Sequence, residues 1–266
     1  MTPEQRYLFD TFGYLHIPNA MTAEELAAAQ EASQRYIDAP PERLPSGFGV
    51  DNRRYLHGFA FDKALERLAL HPTTWPVVKE LLDNRPRLTS GTLQINAAGD
   101  APLRLHCARD DYHWTTPPYA VRHGRVFADH IVVFPYLDDV NPDDGGVIVV
   151  AGSHKSEFDR PKDLFGKESF DDADELPPGV LNICPRAGDF VVITERLTHG
   201  ALRWKPTDRI RRILVLRYHL QFKPMGDLPE PIVSRLSPET RELVSRAGYR
   251  DIKKIVRKEN GTIWSA

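Results

Sequence analysis

The sequence predicts a mainly β protein with flanking helices, built as a sandwich or a barrel-like jelly roll. Three observations carry that prediction. Up to about residue 85 the apolar spacing is that of interrupted amphipathic helices. From Leu88 onward it shortens into runs rich in Val, Ile, Phe and Tyr, the composition of strands. Turn residues at 98–100, 141–146 and 187–189 punctuate those runs closely, as in double-sheet or closed β folds.

The elements follow in order. Residues 13–18, Gly-Tyr-Leu-His-Ile-Pro, read as a short strand closed by proline. Thr22 with Glu24 and Glu25 opens an alanine-rich helix running to about Tyr36. Residues 39–50 are rich in proline and glycine and read as a loop. Two more helices are expected at 62–71 and 74–82, the second ending near Asp83-Asn84. Strands are expected at 88–96, 125–137, 146–150, 189–193 and 212–222. Residues 155–185 are charged, hold prolines and few apolar residues, and are too long for a mere connection, so a lid-like insert is expected there. Residues 237–259 read as a helix around Leu243, Val244, Ile252 and Ile255. The expected organisation is one domain over 1–222, with a helical extension over 223–266 packed on it.

Composition excludes several function classes. Lys+Arg is 35 and Asp+Glu 37, a formal net charge of −2, which speaks against a nucleic-acid polymer as partner through bulk charge. No apolar run approaches the roughly 18 residues of a membrane span. The N-terminus lacks a signal layout, and Cys107 and Cys184 make no disulfide framework, so the expected setting is cytoplasmic.

Ten histidines are present, and two have informative contexts. His106 stands where a strand is expected to end, and His199 lies just past the apolar run 190–193. A non-haem Fe(II) site needs two imidazoles and usually one carboxylate, with positions left open for O2 and substrate. Spacing alone leaves this open beside ordinary structural roles.

Three ordered motifs add to it. An apolar run over 130–135 leads through Leu137-Asp138-Asp139-Val140 to a Gly145-Gly146 turn, a second apolar run and Ala151-Gly152-Ser153-His154. Arg186-Ala187-Gly188-Asp189 opens the run that precedes His199-Gly200. Arg211 follows twelve residues after His199 and opens another apolar run. Together with Phe12-Gly13-Tyr14-Leu15, this resembles the phytanoyl-CoA dioxygenase family of iron- and 2-oxoglutarate-dependent oxygenases over about residues 8–222, with Ala151 where the family usually has proline. The resemblance implies a double-stranded β-helix, a jelly roll of cupin-like type. It implies Fe(II) held by His106 and His199, 2-oxoglutarate anchored through its distal carboxylate by Arg211, and a small-molecule substrate oxidised with O2. A guanidinium suits that anchor because it forks onto a carboxylate and stays charged. Arg209 and Arg212 compete, Arg212 from the opposite strand face. Phe134 stands where the family has an aromatic beside the co-substrate. Gln94 and Asn96 are candidate hydrogen-bond partners for it. His130, Glu195 and Trp114 are candidates for substrate or catalytic contacts.

The chain departs from the family at the first ligand pair, usually His-x-Asp. Here it reads His106-Cys107-Ala108. If Asp110 is registered to the family aspartate instead, Ala108 falls on the histidine. Four readings stay open. Asp110 supplies the third ligand from an unusual spacing; Glu195, four residues before His199, supplies it; the position is vacant and takes chloride, as in the similar radical halogenases; or metal is lost and the jelly roll is a non-catalytic binding protein. The first two point to hydroxylation of an sp3 C–H bond, the third to halogenation.

Overall fold

A computed structural model describes residues 1–112, 118–161 and 176–258, with backbone only for 111 and 112. The strands in chain order are β1 Tyr14–Ile17, β2 Val50–Asp51, β3 Arg54–Tyr55, β4 Pro86–Asn96, β5 Leu103–His106, β6 Tyr119–Arg122 and β7 Arg125–Ala128, then β8 His130–Pro135, β9 Gly146–Val150, β10 Val180–Asn182, β11 Phe190–Thr194, β12 His199–Leu202 and β13 Arg211–Leu220. They form an antiparallel seven-stranded sheet ordered β1-β11-β8-β13-β4-β3-β2, a four-stranded sheet ordered β10-β9-β12-β5, and a β6-β7 hairpin. Strand neighbours far apart in sequence and two facing sheets are the jelly-roll architecture expected.

Alternation on the large sheet sorts its residues into two cores. Ile131 and Val133 of β8, with Val192, Leu214 and Leu216, face outward into a core completed by helices. Val132 and Phe134, with Val191, Ile193 and Ile213, face inward and meet Val147 and Val149 of the small sheet. Each such buried side chain contributes roughly 1.5–3 kcal/mol of hydrophobic stabilisation. Two well-capped helices cover the outer face. α1, Pro3–Phe12, and α2, Ala23–Asp38, both start with capping boxes, Thr2 with Gln5 and Thr22 with Glu25. α1 ends at Gly13 with φ of 80°, where a Cβ would stand 2.5 Å from Nδ1 of His154.

The structure differs from expectation in four places. The run 125–137 breaks at Asp129, whose carboxylate pairs with Lys223 and whose N–H donates to Pro118, so β7 and β8 enter different sheets. The helix expected over 237–259 is two short helices, Pro238–Val244 and Lys254–Arg257, parted by a turn in which the Gly248 N–H donates to the Asp251 carboxylate at 2.9 Å. Both pack on the outer core, and Lys253 Nζ donates to the Pro86 carbonyl at 3.0 Å. Within the stretch read as a lid, 162–175 lies outside the described residues, while β10 pairs with β9 as part of the small sheet. Helix α1 is not among the elements expected, while His199 lies past β11 as expected and itself begins β12. Among the described residues no helix is long and apolar enough to cross a membrane.

Candidate metal and co-substrate site

His106 ends β5 and His199 begins β12, and the two are direct cross-strand partners. That register puts both imidazoles on one face, with ring centroids 4.2 Å apart. His106 Nδ1 lies 3.0 Å from the Arg104 carbonyl and His199 Nδ1 2.8 Å from the Leu197 carbonyl. A carbonyl only accepts, so each Nδ1 carries the proton and each Nε2 presents a lone pair. This is the tautomer that a metal-ligating imidazole needs, fixed by backbone. Burial pushes the pKa of His199 down to about 4, which keeps its ring neutral near pH 7.

Arg211 lies in the same interior. It begins β13 and is buried, 3% exposed. Its Nη2 donates to Asn96 Oδ1 at 2.7 Å, across the register pair Arg211–Asn96. Nε and Nη1 are buried without a hydrogen-bond partner, as is the neighbouring Tyr136 hydroxyl. Burial lowers the pKa of Arg211, the condition of a cation held without a counter-anion. The guanidinium carbon lies 5.7 Å from the centroid of Trp204. An orphaned fork of this kind fits a carboxylate. The turn residue Gly146, at φ of 89°, makes the space: a Cβ there would stand 2.5 Å from Arg211 Nη1.

The competing arginines are occupied. Arg212 points to the other face, where Nε and Nη2 fork onto Asp138 at 2.9 and 2.7 Å beneath α2. Arg209 pairs with Asp144, and its guanidinium lies over the Trp204 ring, 5.0 Å from the centroid. Phe134 lies in the inner core. Gln94 is turned to the Ile95 carbonyl at 2.9 Å rather than to Arg211, so the expected polar pair reduces to Asn96. Trp114 lies outside the described residues.

The third-ligand candidates separate. Ala108 is buried and carries no donor; its N–H donates to the Glu195 carbonyl at 2.7 Å. Asp110 is engaged elsewhere: its carboxylate accepts from the Cys107 N–H at 3.0 Å and pairs with Arg160 at 2.6 Å. Glu195 is buried, with oxygens 3.9 Å from His199 Nε2, 3.8 Å from His130 Nε2 and 3.7 Å from Arg217 Nε. Among the described residues no three His, Cys, Asp or Glu side chains already converge as a metal site.

His130 faces inward at the end of β8, stacked on its register partner His219 with centroids 3.8 Å apart. Burial pushes His130 down to about 2 and His219 to about 4, so both rings are neutral. The pair borders a cavity of about 370 Å³ shared with His57, Thr89, Ser90 and Arg217. Sequence reasoning missed Gly146, Tyr136, Arg217 and His219. Strand alternation from Arg211 was the available signal for Arg217 and His219, since both continue its inward set.

HygX from Streptomyces hygroscopicus, in crystal structures with nickel and 2-oxoglutarate bound and with iron bound, is 25% identical to this chain; TM-scores are 0.70 and 0.69, covering 85% of this chain and 89% of HygX. EctD from S. alaskensis shares the fold at 17% identity and a TM-score of 0.64, over 87% of this chain and 80% of EctD. Dioxygenase cdmD from Talaromyces verruculosus is 29% identical over 133 residues, 49% of this chain and 38% of cdmD, so the match spans well under half of that relative. Residues 9–213 match the phytanoyl-CoA dioxygenase (PhyH) family, and the chain belongs to it.

Proposed function

We propose that this protein is an Fe(II)- and 2-oxoglutarate-dependent oxygenase that acts on an sp3 C–H bond of a small molecule. The observation that carries the reading is the buried, half-partnered Arg211 guanidinium in one interior with two imidazoles that both present Nε2. His106 and His199 would hold the iron, and Arg211 the distal carboxylate of 2-oxoglutarate with Asn96 fixing its orientation. HygX, solved with nickel and 2-oxoglutarate bound, supports a metal and 2-oxoglutarate as the bound groups. When bound, the iron activates O2 at the expense of 2-oxoglutarate, yielding succinate and carbon dioxide.

The chain's own part is binding, orientation and exclusion of water. A neutral His199 keeps its lone pair available at neutral pH. The apolar set Val132, Phe134, Val191 and Ile193 dries the interior and strengthens the Arg211–carboxylate attraction. The cavity beside His130 and Arg217 is of small-molecule size and is the proposed substrate entrance.

Hydroxylation is the preferred outcome. Halogenation is a second reading, favoured by one observation, the donor-free Ala108 at the usual carboxylate position. The test is anaerobic equilibrium dialysis with Fe(II) and 2-oxoglutarate, followed by succinate measurement after O2 is admitted. Mutually dependent binding and succinate release are expected. No affinity for either would return the chain to a non-catalytic jelly roll.

A further inference from the structure

We propose that Glu195 is the metal-facing carboxylate of this chain, standing in for the aspartate that Ala108 replaces. The inference rests on the Fe(II) reading above and decides which residue completes it. Four observations converge. The usual position holds a methyl group, which cannot ligate. The nearest alternative in sequence, Asp110, is held by Arg160 and the Cys107 N–H. The Ala108 N–H donates to the Glu195 carbonyl at 2.7 Å, so the residue that lacks the carboxylate is backbone-bonded to the one that has it. The Glu195 side chain is buried, and its oxygens make no hydrogen bond among the described residues, only contacts of 3.7–3.9 Å to Arg217, His130 and His199.

A buried carboxylate normally takes short hydrogen bonds. Here one oxygen lies 3.9 Å from Nε2 of His199 while the other lies 3.8 Å from His130 and 3.7 Å from Arg217. Atoms that ligate one metal at bonds of roughly 2.1 Å stand about 3–4 Å apart, a range that includes the 3.9 Å between Glu195 and His199. The three groups are not yet gathered, so metal binding has to draw the Glu195 side chain and His106 together. Glu195 stands in the turn just past β11, whose inward residues are Val191 and Ile193, and its N–H is fixed on the His130 carbonyl at 3.1 Å. Arg217 would then balance the carboxylate from the substrate side. A carboxylate in this place leaves no vacancy for chloride, which favours hydroxylation.

The experiment titrates Co(II) into the metal-free, anaerobic protein with 2-oxoglutarate present and reads the visible absorption of the bound ion. Glu195→Gln should weaken Co(II) by at least about tenfold and alter the spectrum, whereas Asp110→Asn should stay within about threefold of wild type. Chloride should leave the wild-type spectrum unchanged and shift that of Glu195→Gln. Wild-type Co(II) affinity and spectrum in Glu195→Gln, with binding lost in His199→Ala, would overturn the proposal while leaving the iron reading intact. No Co(II) binding by wild type, or full binding by His199→Ala, would instead overturn the iron reading itself. Should Glu195→Gln not fold, Glu195→Asp, which keeps the charge and shortens the reach, serves in its place: weakened Co(II) is expected, and unchanged affinity and spectrum would sink the assignment.

Discussion

The two ends of the barrel interior are built to different degrees. At the Arg211 end the partners stand ready: Asn96 fixes one nitrogen, two others are unpartnered in a dry setting, and Gly146 leaves the room they need. At the histidine end two imidazoles are set by backbone carbonyls, but the expected carboxylate is a methyl group and the nearest acidic groups are engaged or only loosely placed. The difference is one of preparation: the arginine end is fixed by neighbouring groups before anything binds, whereas the histidine end has two oriented imidazoles and no carboxylate yet in bonding reach. What a metal requires is donor chemistry and a reachable distance, not a position in sequence.

The sharpest way to break the comparison is at the histidines. His199→Ala removes a neutral, oriented donor, and His106→Ala removes its cross-strand partner. Each is expected to abolish Fe(II) binding and succinate formation, read by dialysis and product assay, with thermal melting confirming the fold. Wild-type decarboxylation in both variants would place the metal elsewhere.

Adjacent arginines give the next largest contrast. Arg211→Ala removes charge-assisted bonds worth roughly 1.5–3 kcal/mol each and should raise the 2-oxoglutarate requirement by about tenfold to a hundredfold or more. Arg212→Ala should leave that requirement near wild type and lower stability instead, because its fork holds Asp138 beneath α2. A substrate-saturation series on both, with melting curves, separates the two. Equal small effects on saturation would move the anchor away from β13.

A smaller and more specific effect is expected from the turn. Gly146→Ala drives a methyl group into Arg211 Nη1 and forces a non-glycine residue to φ of 89°. The expected result is a several-fold weaker 2-oxoglutarate affinity together with a stability loss of roughly 1 kcal/mol or more. Gly124→Ala is the control, since its positive φ of 71° carries similar strain but open space surrounds it. It should cost stability without touching co-substrate affinity.

Much of this was legible in the sequence, unevenly. The change from helical to strand spacing near residue 88 carries the fold class, and Thr22 with Glu25 marks α2, whereas α1 with its Thr2 cap went unread. Alternation alone sends Arg211 and Arg212 to opposite faces, as the structure has it. The split at Asp129 was hidden because its cause is a lysine nearly a hundred residues away, which local pattern cannot carry. Asp110 matched a family spacing, yet its carboxylate is spent on Arg160, a contact between segments that periodicity does not relate. Gly146 was visible as a turn residue, but not as the space for an arginine on another strand.

The last contrast concerns a histidine outside the site, where no effect on activity is expected. His154 and His199 are both buried and both held neutral, His154 also at about 4 through burial. They differ in what holds them. His199 has its Nδ1 on a carbonyl and a second imidazole beside it. Neither ring nitrogen of His154 makes a well-formed hydrogen bond, and its ring meets Tyr119 edge-on at 4.6 Å, under the close approach of Gly13. His154 is therefore packing, and its titration reports stability alone. The unfolded chain takes up a proton on this residue below about pH 6.5, whereas the folded chain resists until about 4. The stabilising contribution is thus complete above pH 6.5 and is lost as pH falls toward 4, at up to roughly 1.4 kcal/mol per pH unit. Replacing the ring by a non-titrating one of similar shape, His154→Phe, should flatten the decline of the melting temperature between pH 7 and 5. The remaining decline includes His57, His71, His130, His199 and His219, which burial shifts in the same direction. Metal should protect His199 from protonation but not His154, so the difference between wild type and His154→Phe should persist in the metal-loaded protein. Parallel pH profiles for the two proteins would show that His154 is already accessible to protons in the folded state.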